Sequence, residues 1–220
     1  MTNKEEYRMV VVKLGASVIC MNFLNLREQL SILEQERIDF LHYDVMDGCF
    51  VPRMGLNVEI LGQISRLVSI PIEVHLMVQS PMHQVDAFAE AGASLICFHL
   101  ESADDPYSTI DTIRRWKIGA GIAISPCTPA LSLDETIDLV DMVLVMNYGP
   151  GMANQSSHPG SPNKLKKLQL MIKEHDKRML VGIDGGVNKG SIPAYIGRAS
   201  TILYSANPGS SRREVLSGRS

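Results

Sequence analysis

The sequence has few of the features that mark secreted, membrane-spanning or disulfide-rich proteins. Its four cysteines are Cys20, Cys49, Cys97 and Cys127, and no two of them form a C-x-x-C pair. No apolar run approaches the ~18 residues that a membrane-spanning helix needs. The N-terminal residues 1–6 are too polar for a signal peptide. We therefore expect a cytoplasmic protein with reduced thiols.

The sequence also lacks a strong excess of either charge. The formal net charge is -3 and the isoelectric point is about 6.1. Neither value gives an electrostatic reason to expect nucleic acid or an anionic membrane as a partner. Lys164, Lys166 and Lys167 lie beside Leu165 and Leu168 at helical spacing, which indicates the solvated face of a helix.

The apolar residues instead occur in eight short runs separated by amphipathic segments. Several runs are almost continuously apolar, as is typical of parallel strands buried on both faces. Their spacing, on the order of 20–40 residues, leaves room for a helix and two loops each time. The predicted strands span residues 10–17, 40–45, 72–78, 95–100, 120–125, 142–146, 180–184 and 201–205.

This alternation fits either a closed barrel or an open doubly wound sheet. Neither G-x-G-x-x-G nor G-x-x-x-x-G-K-[ST] follows the first run, which disfavours an open nucleotide-binding sheet. The alternation predicts an α/β fold in a single domain spanning residues 1–220, and periodicity alone does not choose between a (β/α)8 TIM barrel and the open sheet. Ser80-Pro81 and Ser161-Pro162 predict helix N-caps followed by a first-turn proline, and Gly92 predicts a C-terminal cap.

Four metal-ligating side chains stand at predicted strand ends. His42 and Asp44 are two residues apart and therefore share one face of the second strand. His75 lies on the third strand and Asp184 ends the seventh. Singly, each fits a structural role, as a hydrogen-bonded core histidine or a helix cap. In a barrel, however, all strand ends meet at one mouth, where the four could hold a divalent ion.

Two further groups follow the strands. Gly185 and Gly186 come directly after Asp184, and such a turn fits either a plain tight turn or a phosphate site. Methionines lie at or directly after the ends of strands two, three and six. They fit either core packing or an apolar collar that excludes water from a reactive intermediate; they are Met46, Met77 and Met146.

Residues 41–52, Leu-His-Tyr-Asp-Val-Met-Asp-Gly-Cys-Phe-Val-Pro, resemble the signature of the ribulose-phosphate 3-epimerase family. Residues 74–78 with Pro81 resemble that family's strand-three motif. Further segments match in order at strands four to seven, namely 98–101, 126–128, 145–146 and 183–187. The resemblance covers roughly residues 14–187.

The resemblance implies a (β/α)8 TIM barrel that binds one divalent metal ion through His42, Asp44, His75 and Asp184. Mixed histidine and aspartate ligation suits Zn, Fe, Mn or Co. It also implies a phosphorylated ketose as substrate and places Ser17 near it. We further expect a homo-oligomer. The full set of implied substrate-binding residues is Ser17, His75, Met46, Met77, Met146, Gly151, Gly185, Gly186 and Ser205.

The departures from the family lie in the phosphate-binding half. The sixth loop has Ala153 and Asn154 where the family has two glycines. The eighth strand has Tyr204 before Ser205 where the family has glycine before serine. A side chain at these positions hinders close approach of the backbone to a phosphate. We therefore expect weaker phosphate binding or a different sugar.

The hypothesis for the chemistry is epimerisation at C3 of a ketose phosphate. One carboxylate removes a proton next to the carbonyl, and a second returns a proton on the opposite face; we assign these roles to Asp44 and Asp184. D-Ribulose 5-phosphate is the expected substrate and D-allulose 6-phosphate the alternative. A decarboxylase is disfavoured because no Asp-x-Lys-x-x-Asp motif occurs, and a catalytically weak sugar-phosphate-binding barrel is the remaining alternative.

Overall fold

A computed structural model describes residues 12–152, 160–186 and 201–205. Eight parallel strands form a closed barrel in chain order, and β1 pairs with β8 to complete the ring. This pairing confirms the barrel and excludes the open sheet. The strands are β1 Val12–Ser17, β2 Phe40–Met46, β3 Ile72–Met77, β4 Leu95–His99, β5 Gly119–Ile124, β6 Met142–Met146, β7 Leu180–Asp184 and β8 Thr201–Ser205.

Five α-helices pack outside the barrel within these described ranges. They are α1 Leu26–Gln35, α2 Val58–Ile64, α3 Met82–Glu90, α4 Pro106–Arg115 and α5 Ser161–Glu174. The β5–β6 connection departs from the predicted alternation and forms two 3₁₀ turns, Ala130–Leu133 and Ile137–Leu139. Pro129 lies at the N-cap of the first turn, and the residue before a proline is disfavoured in helical conformation.

Two predicted helix starts are wrong by one residue. Pro81 is the N-cap of α3, because Ser80 has a φ of +48° and not the extended backbone of an N-cap. Gly160 is the N-cap of α5, so Ser161 lies inside that helix. Gly92 is confirmed after the end of α3, where it has a φ of +110° and its N–H bonds the Ala89 carbonyl at 3.1 Å.

The barrel interior changes from apolar to polar along the strands. On β2, Phe40 is followed on the same face by His42, and on β4, Leu95 and Cys97 are followed by His99. The apolar cluster continues onto β5 and β6, whereas His42 and His99 lie nearer the carboxyl ends of β2 and β4, and β3 contributes the polar Glu73 and His75. The chemistry is therefore confined to one mouth of the barrel. No helix within the described segments is long and apolar enough to cross a membrane.

Candidate metal centre and catalytic site

The structure brings together the four side chains predicted as ligands. His42 and Asp44 come from β2, His75 from β3 and Asp184 from β7. Each offers one nitrogen or oxygen atom, and these four atoms all lie within 4.8 Å of one another. The register of β2 and β3 sets Asp44 directly opposite His75. Both imidazoles and Asp44 are buried, whereas Asp184 is partly exposed at the mouth.

Asp44 lies at the centre of the group. Its Oδ1 is 3.0 Å from His42 Nε2 and 3.5 Å from His75 Nδ1. Its Oδ2 accepts a hydrogen bond from the Ser17 hydroxyl at 2.9 Å. Asp184 Oδ2 is 3.9 Å from His42 Nε2. His42 Nε2 thus faces both of the carboxylates to which we assign proton transfer.

These residues fit a divalent cation. His75 Nδ1 is buried and, among the residues described, has no hydrogen-bond partner. Three carboxylates, those of Asp44, Glu73 and Asp184, share the site with two imidazoles, so negative charge exceeds positive charge in a buried space. Imidazole nitrogen combined with carboxylate oxygen is a ligand set that divalent transition metals accept.

The two central carboxyl groups have pKa values displaced in opposite directions by the protein. Burial raises the pKa of Asp44, but His42 and His75 outweigh burial and hold that pKa far below its usual range. Burial raises the pKa of Asp184, His42 opposes it, and the charge of Asp44 adds to the rise. Two carboxyl groups that differ in this way suit the roles of base and acid.

His42 also carries a perturbed pKa. Burial lowers it, but the carboxylates of Asp44 and Glu73 outweigh burial and raise the pKa well above its usual value. A proton and a cation compete for the same imidazole lone pair, so a metal ion that bound this group would release protons.

Glu73 was missed from the sequence. It is buried on β3, and its Oε2 lies 2.5 Å from His42 Nδ1. This contact leaves His42 Nε2 facing the ligand group. A signal was present, since a carboxylate two residues before His75 lies on the same strand face. The contact between Glu73 and His42 could not be predicted from the sequence, because it depends on the β2–β3 register that sets the two residues side by side.

His99 and Glu101 were noted only as family-like residues, and the structure places them against the site. His99 Nε2 lies 3.1 Å from His75 Nε2, and His99 Nδ1 lies 2.9 Å from Glu101 Oε2. Burial lowers the pKa of His99 to about 4, although Glu101 opposes this. Burial raises the pKa of Glu101, but hydrogen bonds from His99 and Thr128 outweigh it and lower the pKa to about 2.

The turn after β7 is built on two glycines in left-handed conformation. Gly185 has a φ of +101° and Gly186 a φ of +65°. The Asn147 amide donates to the Gly185 carbonyl at 2.8 Å, and the Tyr148 ring packs against Gly185. The turn is therefore shaped by backbone conformation and by the residues that follow β6.

Replacing Gly185 with alanine is expected to lower the free energy of unfolding by about 1–3 kcal/mol. The new Cβ would lie 2.9 Å from Tyr148 ring atoms, in a φ region that L-residues rarely adopt. Urea unfolding measures the change. Gly62→Ala in α2 is the matched control, because the atom nearest to the added Cβ there belongs to the flexible Arg66 side chain, at 3.6 Å. An unchanged unfolding free energy for Gly185→Ala would contradict this turn geometry.

The remaining predicted substrate-binding residues lie in separate places. Met46 and Met77 are register partners and pack together with Val51. Met146 belongs to the interior apolar cluster, next to Asp184 in register. Gly151 has a φ of +71° and packs against Val51. The roles of these residues stay predictions.

Ser205 ends β8, with Ala16 as its register partner. Its role, like that of the methionines, stays a prediction. Ala153 and Asn154, on which the expected weakening of phosphate binding depends, lie outside the described residues.

Comparison with known proteins gives a consistent result. Residues 13–206 match the model of the family described as "Ribulose-phosphate 3 epimerase family". The chain is 32% identical to ribulose-phosphate 3-epimerase of Bacillus subtilis, over 90% of this chain and 91% of the relative. It is 36% identical to ribulose-phosphate 3-epimerase 1 of Cupriavidus necator, over 89% and 82% of the two chains.

Solved structures with the same fold are more distant in sequence. Phosphoribosyl anthranilate isomerase from Thermus thermophilus superposes with a TM-score of 0.62 at 14% identity, over 94% of this chain and 95% of its own. The alpha subunit of tryptophan synthase from Campylobacter jejuni superposes with a TM-score of 0.63 at 12% identity, over 94% and 91%. These likenesses support the barrel architecture.

Proposed function

Since the chain belongs to the ribulose-phosphate 3-epimerase family, we propose that it epimerises C3 of a ketose phosphate, interconverting D-ribulose 5-phosphate and D-xylulose 5-phosphate. The family consists of isomerases that act on carbohydrates. The observation that carries the proposal is the pair of carboxylates, Asp44 and Asp184, held beside two buried imidazoles at one barrel mouth.

The directions of proton transfer follow from the strands on which the two carboxylates lie. Asp44 lies on β2 and Asp184 on β7, and β8 and β1 separate these strands in the ring. A planar intermediate held between them presents one face to each carboxylate. The carboxylate on one face takes the C3 proton, and the carboxyl group on the other face returns a proton with inverted configuration. Their roles exchange when the reaction runs backward.

The ligands of the proposed metal centre are His42, Asp44, His75 and Asp184, which would hold one divalent ion of Zn, Fe, Mn or Co. When bound, such an ion supplies positive charge beside the oxygens on which negative charge develops. The chain's own contribution is to orient these groups. The Ser17 hydroxyl donates a hydrogen bond to Asp44 Oδ2, which orients that carboxylate. Glu73 Oε2 contacts His42 Nδ1, which orients that imidazole.

The substrate's phosphate would lie at the other side of the mouth. Gly185 and Gly186 after β7, Gly151 after β6 and Ser205 at the end of β8 are the proposed contacts, since the loops after strands seven and eight of such barrels commonly bind phosphate. Met46, Met77 and Met146 would exclude water from the reacting carbon. A homo-oligomer and a cytoplasmic location stay predictions.

Incubation with a panel of ketose phosphates in D₂O tests this function. We expect D-ribulose 5-phosphate and D-xylulose 5-phosphate to interconvert with solvent deuterium appearing at C3, because the hydrogen delivered to C3 comes from the opposite carboxyl group, which has exchanged with solvent. NMR reads both the configuration and the deuterium. The double variant Asp44→Asn/Asp184→Asn, which lacks both proton-transferring carboxylates, serves as the negative control.

Two outcomes would redirect the proposal. Faster turnover of D-allulose 6-phosphate would identify the longer sugar as the substrate and would explain the replacements Ala153, Asn154 and Tyr204 as a change of substrate. Binding of ketose phosphates with no C3 exchange in any of them would leave a sugar-phosphate-binding barrel and contradict the epimerase.

A further inference from the structure

A chain of hydrogen bonds runs outward from the ligand group through β4. It begins at His75, whose Nδ1 faces Asp44 and whose Nε2 faces His99 Nε2 at 3.1 Å. It continues from His99 Nδ1 to Glu101 Oε2 at 2.9 Å. The two imidazole rings are stacked, with centroids 5.1 Å apart and planes at 28°. Both histidines are fully buried, so water does not satisfy these ring nitrogens.

The far end of this chain allows only one direction of donation. Glu101 Oε1 accepts the backbone N–H of Ser125 at 2.7 Å and a short hydrogen bond from the Thr128 hydroxyl. A backbone N–H can only donate, and an ionised carboxylate can only accept. Glu101 therefore accepts from His99 Nδ1 as well, which places the His99 proton on Nδ1.

The proton arrangement then follows ring by ring. A neutral imidazole carries one proton, so His99 Nε2 is a lone pair and accepts. His75 Nε2 must be the donor across the 3.1 Å contact. His75 Nδ1 is consequently the unprotonated nitrogen, and it is the atom that faces the ligand group.

We propose that His99 and Glu101 are positioning residues that hold His75 in the tautomer whose Nδ1 lone pair is available to a metal ion. The inference rests on the proposed metal centre, to which it adds the reason why His75 is competent as a ligand. Partners that fix a ligating histidine through its other nitrogen commonly change metal affinity by about 10- to 100-fold.

Glu101→Gln is the most direct test, because it keeps the shape of the side chain and reverses the direction of the hydrogen bond with His99 Nδ1. The glutamine oxygen must stay on the Ser125 N–H, so its NH₂ group faces His99 Nδ1. His99 then carries its proton on Nε2 and donates to His75, whose own proton moves to Nδ1. We expect Co²⁺ affinity, measured by titrating the metal-free protein, to fall about 10- to 100-fold.

Nitrogen NMR of ¹⁵N-histidine-labelled, metal-free protein reads the tautomer without activity or metal. The parent is expected to show His75 protonated on Nε2, and Glu101→Gln to show it protonated on Nδ1. Thr128→Val is the matched control: it removes a hydrogen bond to the same carboxylate without reversing the donation at His99. Its Co²⁺ affinity should stay within about twofold of the parent.

Several results separate failure of this inference from failure of the metal centre. A folded Glu101→Gln protein with parental tautomer and parental Co²⁺ affinity would overturn the inference. A parent protein protonated on His75 Nδ1 would overturn it as well. A parent that binds no Co²⁺ would instead contradict the proposed centre, while its NMR spectrum still decides the tautomer.

If Glu101→Gln does not fold, His99→Leu tests the same point by removing the acceptor. His75 should then show both tautomers, with weakened Co²⁺ binding. Retention of the single Nε2-protonated form in His99→Leu would count against the inference.

Discussion

Replacing Asp184 with asparagine is expected to lower the kcat of C3 epimerisation by about 10²–10⁴-fold, since an amide cannot exchange the proton that this position takes or returns. Asparagine keeps the size and one oxygen of aspartate, so the barrel and the ligand group should persist. Initial rates are measured from both epimers, on protein whose metal content has been determined.

The proton-exchange pattern makes this prediction specific. With one carboxylate removed, the remaining one still removes a proton from a single epimer. Asp184→Asn should therefore exchange C3 hydrogen of one pentulose phosphate with solvent, and Asp44→Asn that of the other. Asp111→Asn, an exposed carboxylate on α4, is the control and should behave as the parent. A metal-loaded Asp184→Asn enzyme with parental kcat would refute the two-carboxylate mechanism.

Removal of the metal ion is expected to lower the rate of C3 epimerisation by at least ~10²-fold, because the negative charge that develops on the substrate oxygens loses its main stabilisation. The purified protein should contain about one divalent metal ion per chain. Elemental analysis and rate measurements are made before chelation, after chelation and after returning each of Zn, Fe, Mn and Co separately.

His75→Ala provides the genetic counterpart of chelation. It removes a buried ligand whose Nδ1 has no hydrogen-bond partner in the described structure, and it should lose most of the metal. His83→Ala, an exposed histidine on α3, controls for non-specific binding. Full metal occupancy in folded His75→Ala protein would show that the ligand set is wrongly assigned.

Much of the architecture followed from local pattern. The eight apolar runs correspond to the eight strands, and residues 142–146, 180–184 and 201–205 match their observed bounds. Parallel strands buried on both faces leave this signal because the side chains on both sides of each strand pack against apolar neighbours. The grouping of His42, Asp44, His75 and Asp184 was predictable because carboxyl ends of barrel strands converge.

The surroundings of the ligands were not predictable in the same way. The pattern of β3 shows that Glu73 shares a face with His75, yet its contact with His42 depends on the β2–β3 register. The contact of His99 with His75 likewise depends on the stagger between β3 and β4. Register between parallel strands is set by packing around the whole ring, which no single segment encodes.

The order of the ligands along the chain bears on how the protein is made. His42, Asp44 and His75 emerge early during synthesis, whereas Asp184 emerges late. In the closed ring β8 and β1 lie between β7 and β2, so the β1–β8 pairing brings Asp184 to the other ligands. A growing chain that ends before β7 holds an incomplete ligand set and should bind the cation weakly. High affinity for the ion would thus indicate that the barrel has closed. A bound ion would link β2 and β3 to β7 across the β1–β8 pairing and so stabilise the closed ring against opening, to a degree set by its concentration relative to its dissociation constant.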